Sequence, residues 1–254
     1  MMDRGYKNID TLRLMDNPQA KRRKLITEYF QNVENALAYI PRELEWEKIE
    51  RRNLNLDYTQ LFPSKIADVI FSKLEKEIQY YTGDLACAKF NGKLFPIPRQ
   101  HSAYGNCGIT YTFSGTTVPA QAWTPLLTHL RECVERASGY KYNFVLVNKY
   151  RTGSDSVAFH RDNERDLVKS VPIASLSFGQ ARDFILKPYN FEGSPLTVNL
   201  KNGSLLVMNN PTNEFWVHSL PKTSKRITLP RINLTFRSIR NTQKHSNERI
   251  NQKL

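Results

Sequence analysis

Two stretches of the chain place their apolar residues on one helical face. In residues 65–81 these are Ile66, Val69, Ile70, Leu74 and Ile78, a spacing that predicts an amphipathic helix. The triplet Phe62-Pro63-Ser64 before it supplies a candidate N-cap. In residues 123–137, Leu126, Leu127, Leu130 and Val134 predict a second helix, closed by Gly139. Beyond it the period changes to two. Alternating runs at 142–150, 173–178, 183–186, 204–208, 215–220 and 231–239 are separated by Gly, Pro and Asn. Short strands at such intervals predict an antiparallel sandwich or jelly roll, so the class is α+β and mainly β. The folded unit is expected over residues 53–240. It follows a polar extension at 1–52, expected to be flexible, and precedes a basic tail at 241–254.

The last run carries an unusual second face. Arg231, Asn233, Thr235 and Arg237 point to one side, Ile232, Leu234 and Phe236 to the other. On a surface strand this is unremarkable. Lining a cavity, the two guanidiniums need an anion, and their forks match a dicarboxylate. In 144–150, Asn148 and Tyr150 share a face with Phe144 and Leu146. A strand that starts apolar and ends on an amide and a phenol is consistent with entry into a pocket.

Candidate metal chemistry sits between these strands. His160-Arg161-Asp162 puts an imidazole and a carboxylate on one face of an extended segment, and His218 follows inside the apolar run Phe215-Trp216-Val217-His218. A histidine in an apolar strand is commonly a core residue, and an isolated HxD arises by chance. In the order HxD, strand histidine, RxNxTxR, the combination points to a two-histidine, one-carboxylate triad that leaves metal positions open. His129 and His245 have no carboxylate at ligand spacing, and His101, near Arg99, is expected to meet phosphate or solvent.

Composition changes the picture in one respect. Forty per cent hydrophobic and 24% charged residues are ordinary for a globular chain that buries one sizeable core. No apolar run is long enough to span a membrane, the N-terminus lacks a secretory signal, and no membrane partner is expected. Cys87, Cys107 and Cys133 lack metal spacing and suit a reducing compartment. The net charge, however, is +13, and residues 221–254 hold nine Lys or Arg against one acid. Such a segment is either a solubilising tail or a phosphate-binding one. Residues 21–24 (KRRK) read as a nuclear localisation signal or a solvated helix face.

The segments at 143–150 (NFVLVNKY), 160–165 (HRDNER), 175–179 (SLSFG), 210–213 (NPTN) and 230–237 (PRINLTFR) together resemble the AlkB family, most closely its nuclear DNA-dealkylating branch. The likeness runs from about residue 57 to 240. It implies a double-stranded β-helix that holds Fe(II) through His160, Asp162 and His218. It further implies 2-oxoglutarate on Arg231 and Arg237, with Asn148, Tyr150 and Thr235 completing that pocket, and O2 as second co-substrate. The implied reaction hydroxylates an alkyl carbon on a nucleic-acid base, releasing succinate, CO2 and, from an N-methyl lesion, formaldehyde.

On the substrate side the resemblance implies a nucleotide-recognition lid at about 84–118. Tyr111 and Phe113 would frame a flipped base, although core packing is the plain reading of both. Asn163 stands where the family places a polar lesion contact, usually an acid, with Glu164 beside it. Phe90, in the finger Lys89-Phe90-Asn91-Gly92-Lys93, would wedge into a duplex. Arg99, Lys222, Lys225 and Arg226 are candidate phosphate contacts. Residues 23–30 resemble the box that docks repair proteins on the PCNA sliding clamp, with Arg23 in place of the usual Gln. A nuclear, monomeric enzyme acting on 1-methyladenine and 3-methylcytosine in DNA is expected, with etheno adducts as a further class. RNA as substrate and an inactive nucleic-acid binder are the alternatives.

Overall fold

The computed structural model describes residues 40–240 together with 21, 22, 31, 34–36, 38 and 39. The chain divides into two units, Met1–Tyr39 and Ile40–Leu254. In the first, residues 21, 22, 31, 34–36 and 38 are helical. The segment at 23–30 expected to dock on a clamp, half of the basic run at 21–24 and the tail at 241–254 lie outside the described residues. No described helix is long and apolar enough to cross a membrane.

In chain order the second unit opens with β1 (Glu47–Arg51), β2 (Leu54–Gln60), α1 (Ser64–Glu77) and a 3-10 turn (Gly83–Ala86). Next come β3 (Cys87–Phe90), β4 (Lys93–Pro96), β5 (Gln100–Gly105), β6 (Thr110–Phe113), β7 (Thr116–Pro119), β8 (Gln121–Ala122) and α2 (Pro125–Ser138). The remainder is β9 (Phe144–Tyr150), β10 (Val157–His160), β11 (Ile173–Gly179), β12 (Arg182–Pro188), β13 (Leu196–Leu200), β14 (Ser204–Met208), the one-turn α3 (Thr212–Phe215), β15 (Trp216–Leu220) and β16 (Arg231–Arg237).

Eight strands form one sheet in the order β1-β2-β14-β11-β16-β9-β5-β8, and four form a second, β10-β15-β12-β13. From β9 to β16 the chain passes back and forth between the two, giving the jelly roll that the alternating runs predict. Helices α1 and α2 pack on β11 of the larger sheet. Its central strands are therefore covered on both faces, which is why β9, β11, β14 and β16 are almost wholly buried. One apolar cluster, around Leu56, Leu186, Leu206 and Trp216, fills the space between the sheets at one end. A second, around Tyr111, Phe113, Phe144 and Leu146, lies under the β6–β7 hairpin.

The β1–β2 hairpin straddles the expected boundary at residue 53. Two local expectations about α1 need correction. Ser64 is the first residue of α1 rather than its cap; Pro63 holds the cap position, with no side-chain capping bond. The helix ends at Glu77 because Ile78 turns extended (φ −71°, ψ 122°), so Ile78 supplies a buried side chain but no helical backbone. For α2 the reading holds: Thr124 accepts from the Leu127 N–H at 3.2 Å, and Gly139 closes the helix at φ 78°.

Candidate active site

Strand pairing brings the candidate metal ligands together. β10 runs antiparallel to β15 with His160 opposite His218, and their ring centroids lie 4.3 Å apart. Asp162 follows β10 in a segment clamped by α3. Its N–H donates to Asn213 Oδ1 at 3.0 Å, and the Asn213 amide donates back to its carbonyl. One ligand atom from each of His160, Asp162 and His218 lies within 4.8 Å of the others. Among the described residues this is the one such cluster.

The protonation states suit a metal. His160 Nδ1 lies 2.9 Å from the Ala158 carbonyl, which can only accept. The Nδ1–H form is thereby fixed, and Nε2 faces Asp162 Oδ1 at 3.6 Å. Burial pushes His218 down to about 3, leaving the neutral imidazole that a metal requires. Burial would raise Asp162, but the Arg237 guanidinium and then His218 and His160 outweigh it, holding the carboxyl at about 2. Two imidazoles and one carboxylate fit Fe(II) and leave the rest of its coordination sphere open.

The polar face of β16 does line a cavity. Arg231, Asn233, Thr235 and Arg237 share about 610 Å³ with the metal cluster, Asn148, Tyr150 and Ser175. Register explains the grouping: Asn233 lies opposite Asn148 on β9 and Ser177 on β11, and Arg231 opposite Tyr150. Arg231 donates to Ser177 Oγ at 3.0 Å and Arg237 to Asp162 Oδ2 at 2.9 Å. Arg231 Nε and Arg237 Nε and Nη1 remain buried without partners. Unused donors on two buried cations fit a small dicarboxylate. Ser175 and Ser177, which fix Asn233 and Arg231, escaped the sequence reading. Their signal was available, since they alternate with Leu176 and Phe178.

Two hairpins close one side of the cavity. In β3–β4 the chain turns at Asn91-Gly92, both at positive φ (48° and 76°), as a two-residue hairpin loop favours. Phe90, paired with Lys93 across that turn, is 66% exposed. The hairpin is tied to β6–β7 by Lys89 N–H to the Ser114 carbonyl (2.8 Å) and Thr116 Oγ1 to the Cys87 carbonyl (2.7 Å). This approach demands Gly115, whose φ is +75° and whose Cβ, if present, would collide with the Lys89 carbonyl.

From β6–β7, Thr112, Phe113, Ser114 and Gly115 reach the cavity. Tyr111 stands behind them, interacting with Glu164, Arg237 and Asp162 of the cavity wall. It is buried under Phe113 (centroids 5.8 Å) and against Phe144 (4.8 Å), with Arg237 over its ring. Phe113 is the wall and Tyr111 its backing. The expectation for His101 is corrected. It is buried edge-on to Phe113 at 5.0 Å and to Tyr81 at 5.6 Å, beside the Leu85 backbone. Burial, then the charge of Arg99, lowers it to about 4, so it is a neutral packing partner. Asn163 and Glu164 both line the cavity, and burial followed by the charge of Asp162 raises Glu164.

The expected phosphate contacts divide. Arg99 lines the cavity, where its Nε donates to Asn148 Oδ1 at 2.7 Å, so it is turned inward. Lys225 is paired with Asp183 at 2.9 Å, while Lys222 and Arg226 are exposed and outside the cavity wall.

A family model of the 2OG-Fe(II) oxygenase superfamily matches residues 59–237, a span that includes all three candidate ligands and both arginines. The DNA oxidative demethylase ALKBH2 of Bos taurus is 45% identical over 210 residues, covering 80% of this chain and 75% of the relative. The Homo sapiens ALKBH2 is 45% identical over 206 residues, 78% of each. The Homo sapiens alpha-ketoglutarate-dependent dioxygenase alkB homolog 3 is 38% identical over 151 residues, covering 56% of this chain and 52% of that one. Among solved structures, "The structure of OsALKBH1" covers 76% of this chain and 100% of its own, at TM-score 0.53 and 16% identity, a likeness of fold. With the triad and arginine pair in place, the chain belongs to the AlkB family of 2OG-Fe(II) oxygenases, dioxygenases that use Fe(II), 2-oxoglutarate and O2.

Proposed function

We propose that this dioxygenase repairs alkylated DNA, oxidatively demethylating bases such as 1-methyladenine and 3-methylcytosine in duplex and single strands. The observation that carries the reading is the shared cavity. A two-histidine, one-carboxylate cluster and two buried guanidiniums with unused donors meet beneath an exposed aromatic finger. Relatives 45% identical over about four-fifths of the chain are DNA oxidative demethylases by name.

His160, Asp162 and His218 would hold Fe(II). When bound, the metal supplies O2 activation coupled to decarboxylation of 2-oxoglutarate to succinate and CO2, with hydroxylation of the alkyl carbon. The hydroxymethyl product of an N-methyl lesion then separates into formaldehyde and the repaired base. Arg231 and Arg237 bind the co-substrate's carboxylates, with Asn148, Tyr150 and Thr235 around it. Phe113, stiffened from behind by Tyr111 and His101, holds the extruded base, and Asn163 and Glu164 offer polar contacts. Phe90, Asn91, Gly92 and Lys93 form the duplex-entering finger, while Lys222 and Arg226 are free to meet phosphate. The same reading places the enzyme in the nucleus as a monomer, with 23–30 docking on PCNA.

The test is formaldehyde release from 3-methylcytosine in duplex DNA, with and without iron chelation. Release that chelation abolishes is expected. Turnover restricted to RNA would redirect the substrate, and no 2-oxoglutarate consumption with any methylated oligonucleotide would leave only a binder. Phe90→Ala should slow duplex repair by about tenfold and single-strand repair far less, because an aromatic ring stacked on a base contributes about 1–3 kcal/mol. Equal losses on both substrates would remove Phe90 from that role.

A further inference from the structure

The three candidate ligands are not held alike. His160 and His218 sit on paired strands of the smaller sheet, so register fixes their backbones. Asp162 lies two residues beyond His160 in a segment that belongs to no strand. Arg237 steers its carboxylate, but sheet pairing does not set the backbone from which that carboxylate springs. The turn at 209–214, which contains the NPTN motif of residues 210–213, supplies the missing hold. Asn213 Oδ1 accepts from the Asp162 N–H at 3.0 Å, and Asn213 Nδ2 donates to the Asp162 carbonyl. A peptide N–H can only donate and a carbonyl only accept, so the orientation of this amide is fixed. Arg161 adds a third bond between the same segments, donating to the Glu214 carbonyl at 2.8 Å.

The turn is itself moored to β2. Thr212, 1% exposed, accepts from the Asn55 N–H through Oγ1 at 2.8 Å and donates to the Asn55 carbonyl at 3.0 Å. The Asn209 N–H donates to that carbonyl at 3.0 Å, and the Asn209 side chain to Asp57 Oδ2 at 2.7 Å. A chain of bonds thus runs from the larger sheet, through the turn, to the one candidate ligand that the smaller sheet does not carry. We infer that Asn213 is a positioning residue for the metal, setting the Asp162 backbone from an anchor at Thr212, so that the carboxylate stands beside the imidazoles before the ion arrives. A ligand on an irregular segment without that hold must be ordered when the ion binds, and the ordering cost is subtracted from affinity. Disturbing the bonds around a ligand set commonly lowers metal affinity by about 10–100-fold. The inference rests on His160, Asp162 and His218 being the iron ligands. A purely structural turn would instead lower the melting temperature with no selective effect on the metal.

The test reads metal affinity and melting temperature, not turnover, on the full chain without nucleic acid. Mn(II) would be titrated by the electron paramagnetic resonance of the free ion, for wild type, Asn213→Ala, Thr212→Val, Thr212→Ser, Asp162→Asn and Asn143→Ala. Asn143 is the matched control: its amide makes the same reciprocal pair of bonds, at 2.8 Å each, to the backbone of Ile239, which is no ligand. Asn213→Ala should weaken Mn(II) binding by about 10–100-fold. Thr212→Val should weaken it by a smaller factor, and Thr212→Ser, which keeps the hydroxyl, should bind as wild type does. Asn143→Ala should melt lower than wild type and bind Mn(II) equally well. Wild-type affinity in Asn213→Ala or Thr212→Val, or an equal loss in Asn143→Ala, would overturn the inference and leave the ligand assignment standing. Wild-type affinity in Asp162→Asn would remove Asp162 from the metal site, and the inference with it.

Discussion

Replacing Asp162 by alanine is expected to abolish formaldehyde release, a loss beyond the about 10–100-fold that follows from disturbing residues around a ligand set. The cluster offers one carboxylate, and without it two neutral imidazoles hold a divalent ion poorly. Alanine also has a second consequence. Asp162 and Arg237 are each 4% exposed and pair at 2.9 Å, so truncation strands a buried guanidinium. That costs about 3–5 kcal/mol, against about 5–15 for a whole domain. Asp162→Asn separates the two effects. The amide oxygen still accepts from Arg237, and the backbone clamp to Asn213 is untouched. The asparagine variant should melt between wild type and the alanine variant, bind unmethylated DNA normally and release no formaldehyde. The alanine variant should be equally inactive and melt lower. Wild-type turnover in either would take Asp162 out of the metal site.

How much of this was legible depended on whether burial left a mark in the residue pattern. β16 was readable because both its faces carry a message, three apolar residues inside and four polar ones towards the cavity. β1 was not: in its sequence EKIER only Ile49 is partly buried, and an edge strand with so little core contact has no period. β5 was hidden for the opposite reason. His101, Ser102, Ala103 and Gly105 are buried but small or polar, and nothing in their alternation announces a central position. The same blindness misplaced His101. Residues i and i+2 on β6 share a face, but which of Tyr111 and Phe113 reaches the cavity depends on how the hairpin tilts over Phe144. Arg99 turned inward because Asn148, forty-nine positions away, supplies an acceptor.

Arg231→Met should leave a folded enzyme that no longer holds 2-oxoglutarate. Arg231 differs from Arg237 in having no carboxylate against it. It rests against Ser177 and the ring of Tyr150, and burial, followed by repulsion from Arg182, has lowered it to about 10. A buried cation in that position is a standing cost to the fold, tolerated where an anion arrives to offset it. Removing the charge therefore should not lower the melting temperature of the ligand-free protein, and the methionine stem fills much of the same volume. Affinity for 2-oxoglutarate, titrated calorimetrically with Mn(II) in place of iron, should fall by about 3 kcal/mol or more, over a hundredfold, as expected when one partner of a buried charge pair is lost. The rise in melting temperature that 2-oxoglutarate gives the wild type should vanish with it. Arg231→Lys should fall between, since an ammonium keeps the charge without the two-pronged geometry. Arg237→Met makes the contrasting control: it strips Asp162 of its partner, so it should lose stability as well as binding. If Arg231→Met bound 2-oxoglutarate as the wild type does, β16 would not be the co-substrate strand, whatever the metal cluster beside it holds.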